Sequence, residues 1–269
     1  MVEADDAPAA APVVVLASPA PPELREVPAL SPRGSPSLGN TLRSEMLEYG
    51  VLWPVRIEPR LVAAAAIGSG EILLGGTRHY SREEVQRLAA HEVGVHLVAH
   101  ENAREQSLGI FALGTPHATR DQEGLALWAE IARGAFTPYR RRALAARTLA
   151  VALLEDGASF ADASHTLICM HGLSIEDAVC ACERAYRGGG LTKDAVYLAG
   201  FTRVGRALTA GKLDLSAMSV GRVGLDDVAI ARALLDEGVL VEPRRKSREL
   251  IRLQGDPRLG LFETSAALA

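Results

Sequence analysis

The sequence has few cysteines, no long apolar run and no large excess of charge of either sign. Its three cysteines, Cys169, Cys180 and Cys182, are an odd number, which argues against a disulfide framework and predicts reduced, buried thiols. It lacks the run of about 18 apolar residues that a membrane-spanning helix requires. Its 29 basic and 33 acidic residues give a net charge of −4, so we expect no nucleic-acid-binding surface and solvated basic runs at residues 140–142 and 244–246.

A histidine pair with an adjacent glutamate carries the most chemical information. Two imidazoles and a carboxylate, groups that suit zinc, lie in the segment His91-Glu92-Val93-Gly94-Val95-His96. The histidines are five residues apart, so their side chains would lie roughly 140° apart on a regular α-helix. We therefore predict a local π-helical turn, which brings residues five apart together and is common at functional sites. Gly94 lies inside this interval and makes the distortion easier.

Glu123 is the predicted third ligand. It lies 27 residues after His96, at the start of a second helix that we expect to begin with a capping box formed by Thr119 and Gln122. Three protein ligands leave a fourth position open for water, which distinguishes a catalytic zinc site from a structural one. Glu92 neighbours a ligand and is free to face the substrate, so it is the predicted general base.

A rival histidine pair is compatible with the same sequence. His96 and His100 are four residues apart, the spacing that places two side chains on one face of an undistorted helix. In that arrangement His91 would be an ordinary helix residue. The rival pair would lack an adjacent base.

Four blocks of the sequence resemble the QEGLA-motif family and occur in the same order. They are HEVGVH at residues 91–96, DQEGLA at 121–126, RAYRGGGLTKDAVYL at 184–198 and GKLDL at 211–215. Bacterial members of this family are labelled flavohaemoglobin-expression-modulating proteins, and vertebrate members include the microtubule-associated tyrosine carboxypeptidases. The resemblance, over roughly residues 55–243, implies a zinc metallopeptidase with His91, His96 and Glu123 as ligands and Glu92 as base. It does not imply the tubulin substrate of the vertebrate members.

The block at residues 184–198 supplies candidates for substrate binding. A carboxypeptidase recognises the terminal carboxylate of a peptide or protein, and a fixed cation does so through charge-assisted hydrogen bonds. Arg187 and Lys193 are the candidate cations, and Tyr197 is a candidate for stabilising a tetrahedral oxyanion. The alternative is a glycine-rich turn with a solvated lysine and a packed tyrosine. Thr192 stands where a phosphate-binding loop would need glycine, which argues against nucleotide binding.

The chain past residue 50 predicts an α+β fold that is predominantly α. Short extended segments at residues 55–57, 61–67 and 72–74 predict a small sheet, which we expect beside the metal-binding helix. Ser81 and Glu84 predict a capping box at the start of that helix, and Ser159 and Ser174 predict two further helix starts. A helix starting at Pro138 and another at residues 225–235 complete a zincin-like helical domain, in which two helices cross at the site.

The first forty residues differ in composition from the rest of the chain. They contain eight of the 14 prolines, so we predict a disordered tail at residues 1–40 and a zinc metallopeptidase-like domain at residues 41–269. Acidic residues precede the short apolar stretch at residues 13–16, where a signal peptide would carry positive charge. This favours a cytoplasmic location.

Three functions of different kinds are compatible with these patterns. The first is a zinc-dependent carboxypeptidase acting on the C-terminus of a peptide or protein, with endopeptidase action by the same chemistry left open. The second is a metal-binding regulatory protein without catalysis, in keeping with the bacterial family label. The third is a metal-free helical interaction module, which measurement of bound zinc would separate from the other two.

Overall fold

A computed structural model describes residues 27–68, 70–76, 79–187, 194–254 and 256. These residues form a predominantly helical α+β structure with two small sheets. They divide into two compact units, a larger one that includes residues 27–137 and 200–254 and a smaller one within residues 138–199. Among the described helices, none has the length and apolar character needed to cross a membrane.

A three-stranded sheet lies in the larger unit. Its central strand β4 (Glu71–Gly75) pairs in parallel with β2 (Val55–Glu58) and antiparallel with β3 (Ala65–Gly68). A two-stranded sheet joins β1 (Val27–Pro28) to β5 (His79–Tyr80). The three-stranded sheet packs against the helical segment that carries the histidine pair. The predicted sheet beside the helix that carries the histidine pair is therefore confirmed, although its second strand begins four residues later than expected.

The other elements are helical. In chain order they are α1 (Leu38–Glu48), α2 (Arg82–Leu88), a π-helical segment (Ala89–Leu97), α3 (Val98–Ala103), α4 (Ile110–Leu113), α5 (Ala118–Ala132), α6 (Pro138–Glu155), α7 (Phe160–Cys169), α8 (Ile175–Tyr186), α9 (Val196–Thr209), α10 (Leu215–Ser219), a 3₁₀ turn (Leu225–Asp227), α11 (Val228–Asp236) and α12 (Arg248–Gln254). The smaller unit contains α6, α7, α8 and the first residues of α9.

The π-helical segment lies between two hydrophobic cores of the larger unit. One core contains the sheet, α1 and α2, and receives Ala89, Val93 and Leu97 from the segment. The other is formed largely by the helices that follow α4, and receives Ala90 and Val95. A helix that is apolar on several sides is typically buried on several sides, so packing holds this segment in place along most of its circumference.

The predicted helix starts are confirmed at three serines. Ser81 and Glu84 form a reciprocal capping box at the start of α2. Ser159 and Ser174 cap α7 and α8, accepting hydrogen bonds from the backbone N–H groups of Asp162 and Asp177. Each cap satisfies a donor that the first turn of the helix leaves without an internal partner.

The predicted capping box at Thr119 and Gln122 is wrong. The helix α5 begins at Ala118, and its cap residue is His117 in the left-handed conformation (φ 59°). Thr119 lies inside the helix, and its hydroxyl accepts a hydrogen bond from Arg222. As a result, Glu123 lies in the second turn of α5 and not at its start.

Three other expectations differ from the structure. The basic run at residues 140–142 is not uniformly solvated, because Arg140 is buried. All three cysteines are free as expected, but Cys182 alone is buried. The described part of the predicted disordered tail, residues 27–40, forms β1 and the beginning of α1. The rest of that tail lies outside the described residues.

Candidate metal centre

The π-helical segment brings His91 and His96 together. The segment spans Ala89–Leu97, and its i→i+5 hydrogen bonding advances five residues in about one turn. The two imidazole rings lie edge to face, with their centroids 4.9 Å apart. The π-helical turn predicted from the five-residue spacing is therefore confirmed.

Glu123 of α5 approaches both histidines. Its Oε2 atom lies 3.3 Å from Nε2 of His91 and 3.7 Å from Nε2 of His96. One ligand atom from each residue can be chosen so that all three lie within 4.8 Å of one another. Two ligands of a tetrahedral zinc ion, each at about 2.1 Å, lie about 3.4 Å apart. The spacing of the three side chains thus fits a single metal ion.

The chemical state of Glu123 also fits a metal site. Its Oε2 atom is buried and makes no hydrogen bond with any residue that the structure describes. A buried carboxylate oxygen that faces two imidazole nitrogens without a hydrogen bond is costly, and a proton or a metal ion between these groups satisfies it. Two imidazole nitrogens and one carboxylate oxygen are the donor set of many catalytic zinc sites.

In the absence of a metal, the protonation states of the histidines and of Glu123 depend strongly on one another. Burial lowers the pKa of His91, but the carboxylates of Glu123, Glu130 and Glu92 outweigh this effect and raise that pKa to about 9. Burial raises the pKa of Glu123, but the nearby imidazoles of His96 and His91 hold it well below its ordinary value. A proton on His91 therefore occupies the place that a metal would take, and metal binding must displace it.

Glu130 contacts the far side of His91. Its side chain is completely buried, and one carboxylate oxygen lies 2.8 Å from Nδ1 of His91. Arg87 of α2 lies 3.6 Å from the same oxygen. Metal-binding histidines commonly donate their second ring N–H to a carboxylate, which fixes the tautomer and the ring orientation. The sequence prediction missed Glu130, although its position seven residues after Glu123 places both carboxylates on one face of α5.

Glu92 lies beside this cluster as a separate acid. It is partly exposed, and it is close enough to His91 to contribute to the raised pKa of that histidine. It is not one of the three residues whose ligand atoms converge. Its carboxylate is therefore not committed to the converging cluster.

The rival pairing of His96 with His100 is not formed. His100 lies in α3 and packs edge to face against Trp53, with ring centroids 4.9 Å apart. Burial lowers the pKa of His100. Among the described residues, His91 and not His100 shares a converging cluster with His96.

A buried ion-pair network supports the π-helical segment from behind. Arg133, the residue that follows α5, donates hydrogen bonds to Glu45 of α1 and Glu249 of α12, each at 2.7 Å. A Cβ atom added at Gly94 would lie 3.2 Å from Oε2 of Glu249 and 3.6 Å from the hydroxyl of Tyr49. Glycine at position 94 therefore permits this close approach as well as easing the π-helical turn.

Gly124, the residue after Glu123, has a packing role. A Cβ atom at this position would overlap the backbone of Gly200 in α9. Likewise, a Cβ atom at Gly200 would overlap the carbonyl oxygen of Arg120. The helices α5 and α9 thus cross in backbone contact at two glycines, one of which directly follows Glu123.

The predicted substrate-binding residues lie apart from the metal cluster in the chain. Arg187 ends α8; its side chain is exposed, and its backbone N–H bonds to the carbonyl of Glu183. Tyr197 is buried near the start of α9. Lys193 lies outside the described residues. Both described residues belong to the smaller unit, whereas the three converging side chains belong to the larger one.

Hydrolases commonly bind a catalytic metal through two imidazoles and a carboxylate that converge, with a further acidic residue beside them. A comparison with protein families agrees with this class. It matches residues 35–257 to the family described as microtubule-associated tyrosine carboxypeptidase. Because the match covers most of the chain, the protein belongs to this family, and the resemblance noted in the sequence is confirmed. A comparison with curated proteins finds no match.

Proposed function

We propose that this protein is a zinc-dependent carboxypeptidase that removes the C-terminal residue of a peptide or protein. The observation that carries the proposal is the convergence of His91, His96 and Glu123, with an unsatisfied buried oxygen on Glu123. Membership of a carboxypeptidase family supports the reaction class. The free thiols of the three cysteines are in keeping with the reducing cytoplasm.

In this proposal, His91, His96 and Glu123 hold the zinc ion. Zinc, when bound, acts as a Lewis acid that polarises a carbonyl group and makes water nucleophilic near neutral pH. Glu130 accepts the Nδ1–H of His91, which leaves Nε2 free as a ligand and keeps the ring in position. The crossing of α5 and α9 at Gly124 holds Glu123 at a fixed distance from both rings.

Glu92 is the proposed general base. It takes a proton from the attacking water and later delivers a proton to the leaving amine, so the net reaction consumes one water and breaks one peptide bond. Its position next to His91 in the π-helical segment supports this role. The terminal carboxylate of the substrate requires a cation, for which Arg187 and Lys193 are the proposed candidates, with Tyr197 as a proposed oxyanion donor.

The test uses zinc-loaded full-length protein and a peptide library with free and amidated C-termini, including peptides that end in tyrosine. We expect single-residue removal from free termini only, detected by mass spectrometry. Glu92→Gln should retain the zinc content of the wild type and lose turnover by about 10²- to 10⁴-fold. Glu237→Gln, at an exposed carboxylate, is the matched control.

Each other result has a definite meaning. Cleavage of internal bonds or of amidated peptides would replace the carboxypeptidase assignment with an endopeptidase. Full turnover in Glu92→Gln would reject Glu92 as the base. Stoichiometric zinc without cleavage of any peptide would favour a metal-binding regulatory protein, and absence of zinc after zinc-supplemented expression would reject both metal hypotheses.

A further inference from the structure

The smaller unit gathers three arginines around one carboxylate. Arg140 and Arg147 are seven residues apart on α6, so they lie nearly on the same helix face, two turns apart. The helix α6 packs against α8, which carries Arg184. Arg140 is 7% exposed, and Asp194, the carboxylate that Arg184 contacts, is 3% exposed. Arg147 is close enough to interact electrostatically with all three of these residues.

The charge of Asp194 is already matched by Arg184. Nε and Nη2 of Arg184 donate to its two carboxylate oxygens at distances between 2.7 and 3.1 Å. This fork-to-fork geometry is the strongest form of an arginine–carboxylate pair. Asp194 therefore has little capacity left to neutralise a second guanidinium.

Arg147 forms no such pair within the described part of the chain. It makes no hydrogen bond or ion pair with any residue that the structure describes, and its side chain is partly exposed. Burial, followed by the positive charges of Arg184 and Arg140, lowers the pKa of Arg147 to about 9. An unpaired cation beside like charges is unfavourable. Partial exposure means that a ligand from solvent can reach it.

We propose that Arg147, flanked by Arg140 and Arg184, binds an oxyanion of the carboxylate or phosphate type. A guanidinium presents a planar fork of donors that matches both groups. One source of the oxyanion is the free C-terminal carboxylate of a peptide. The other source is free phosphate. Buried Tyr197 lies near Arg147 and adds a polar group to the same cluster.

The first experiment measures thermal unfolding of zinc-loaded full-length protein as inorganic phosphate replaces chloride at constant ionic strength. The variants are Arg147→Met, which keeps the apolar stem and removes the charge, and Arg147→Lys, which keeps the charge without the fork. The matched control is Arg141→Met on the same helix, at an arginine that is not among the charges acting on Arg147. Phosphate bound at the zinc site, or a general salt effect, would act equally on all of these proteins.

We expect phosphate to raise the melting temperature of the wild type and of Arg141→Met. Arg147→Met should melt no lower than the wild type in chloride, because an unpaired cation has been removed, and should not respond to phosphate. Arg147→Lys should need about ten-fold more phosphate for the same shift. An equal phosphate response in the wild type and both Arg147 variants would overturn the phosphate arm.

The second experiment identifies the source. Peptides with free and amidated C-termini are bound to zinc-loaded Glu92→Gln protein, with and without Arg147→Met. A preference of about ten-fold or more for the free terminus that disappears with Arg147→Met assigns the site to a peptide carboxylate. An Arg147-dependent phosphate response without this preference assigns it to free phosphate. If neither phosphate binding nor peptide binding depends on Arg147, the proposal is wrong. An Arg147-dependent phosphate response in a protein without any peptidase activity would reject only the carboxypeptidase function.

Discussion

Nδ1 of His91 lies 2.8 Å from a carboxylate oxygen of Glu130, and both side chains are buried. Because Glu130 accepts the proton on Nδ1, Nε2 is the ring nitrogen of His91 that faces Glu123. The two carboxylates of α5 therefore contact opposite ends of one imidazole ring. A single rigid helix sets both contacts.

The first prediction concerns this contact. Glu130→Gln should lower zinc affinity by about 10- to 100-fold, because the neutral amide orients and polarises His91 less effectively. Competition with a fluorescent zinc chelator measures the change, and Glu237→Gln is an exposed control. Unchanged zinc affinity would mean that Glu130 serves packing alone.

A second prediction distinguishes the two histidine pairs. His91→Ala should lose bound zinc, whereas His100→Ala should retain it, because His100 packs against Trp53. Metal analysis of the purified variants after zinc-supplemented expression measures the difference. The reverse pattern would show that His96 and His100 form the metal site.

The third prediction concerns pH in the metal-free protein. The pKa of His91 rises from an ordinary value of 6.5 to about 9 on folding, so its protonation stabilises the fold fully below pH 6.5. This contribution, roughly 3 kcal/mol, is lost as pH rises through 9. The lowered pKa of Glu123 acts in the opposite direction: its contribution is present above pH 4.5 and is lost as pH falls.

Urea unfolding of chelator-treated protein across pH 4–10 tests this prediction. We expect the free energy of unfolding to decline between pH 6.5 and 9, and the decline to be absent in metal-free His91→Ala. Zinc-loaded protein should also lack the decline, because zinc binds the neutral imidazole in place of the proton. A decline of equal size in His91→Ala would assign it to other groups.

The fourth prediction concerns the crossing of α5 and α9. Gly124→Ala would force a methyl group against the backbone of Gly200, so we expect a loss of about 1–3 kcal/mol in the free energy of unfolding. Zinc affinity should fall as well, because Glu123 moves with the helix. Gly109→Ala is the control, since an added Cβ there meets no atom within 4 Å.

Local features of the sequence predicted local features of the structure. The caps at Ser81, Ser159 and Ser174 depend on residues three positions apart, and all three are present. The π-helical turn followed from requiring His91 and His96 to meet on one ion. The start of α5 was missed because His117 adopts a left-handed conformation that no pattern of capping residues indicates.

The features that sequence reasoning missed depend on burial by distant parts of the chain. Arg140 stands in a run of three arginines and reads as a solvated surface, yet it is buried in the smaller unit. Glu130 reads as an ordinary helix residue until α5 is packed on the π-helical segment. In each case, the sequence shows that a helix carries a charged side chain, but it does not show which distant residue packs against that side chain.

The π-helical turn has a consequence for recognising related proteins. A search that demands two histidines separated by three residues skips any chain whose helix is widened by one residue, even when the imidazoles end up equally near each other. A sequence search for hydrolytic metal sites is therefore more sensitive if it also accepts two histidines separated by four residues, one of which is glycine. The further criterion is a downstream acidic residue with a second acidic residue two turns further along the same helix.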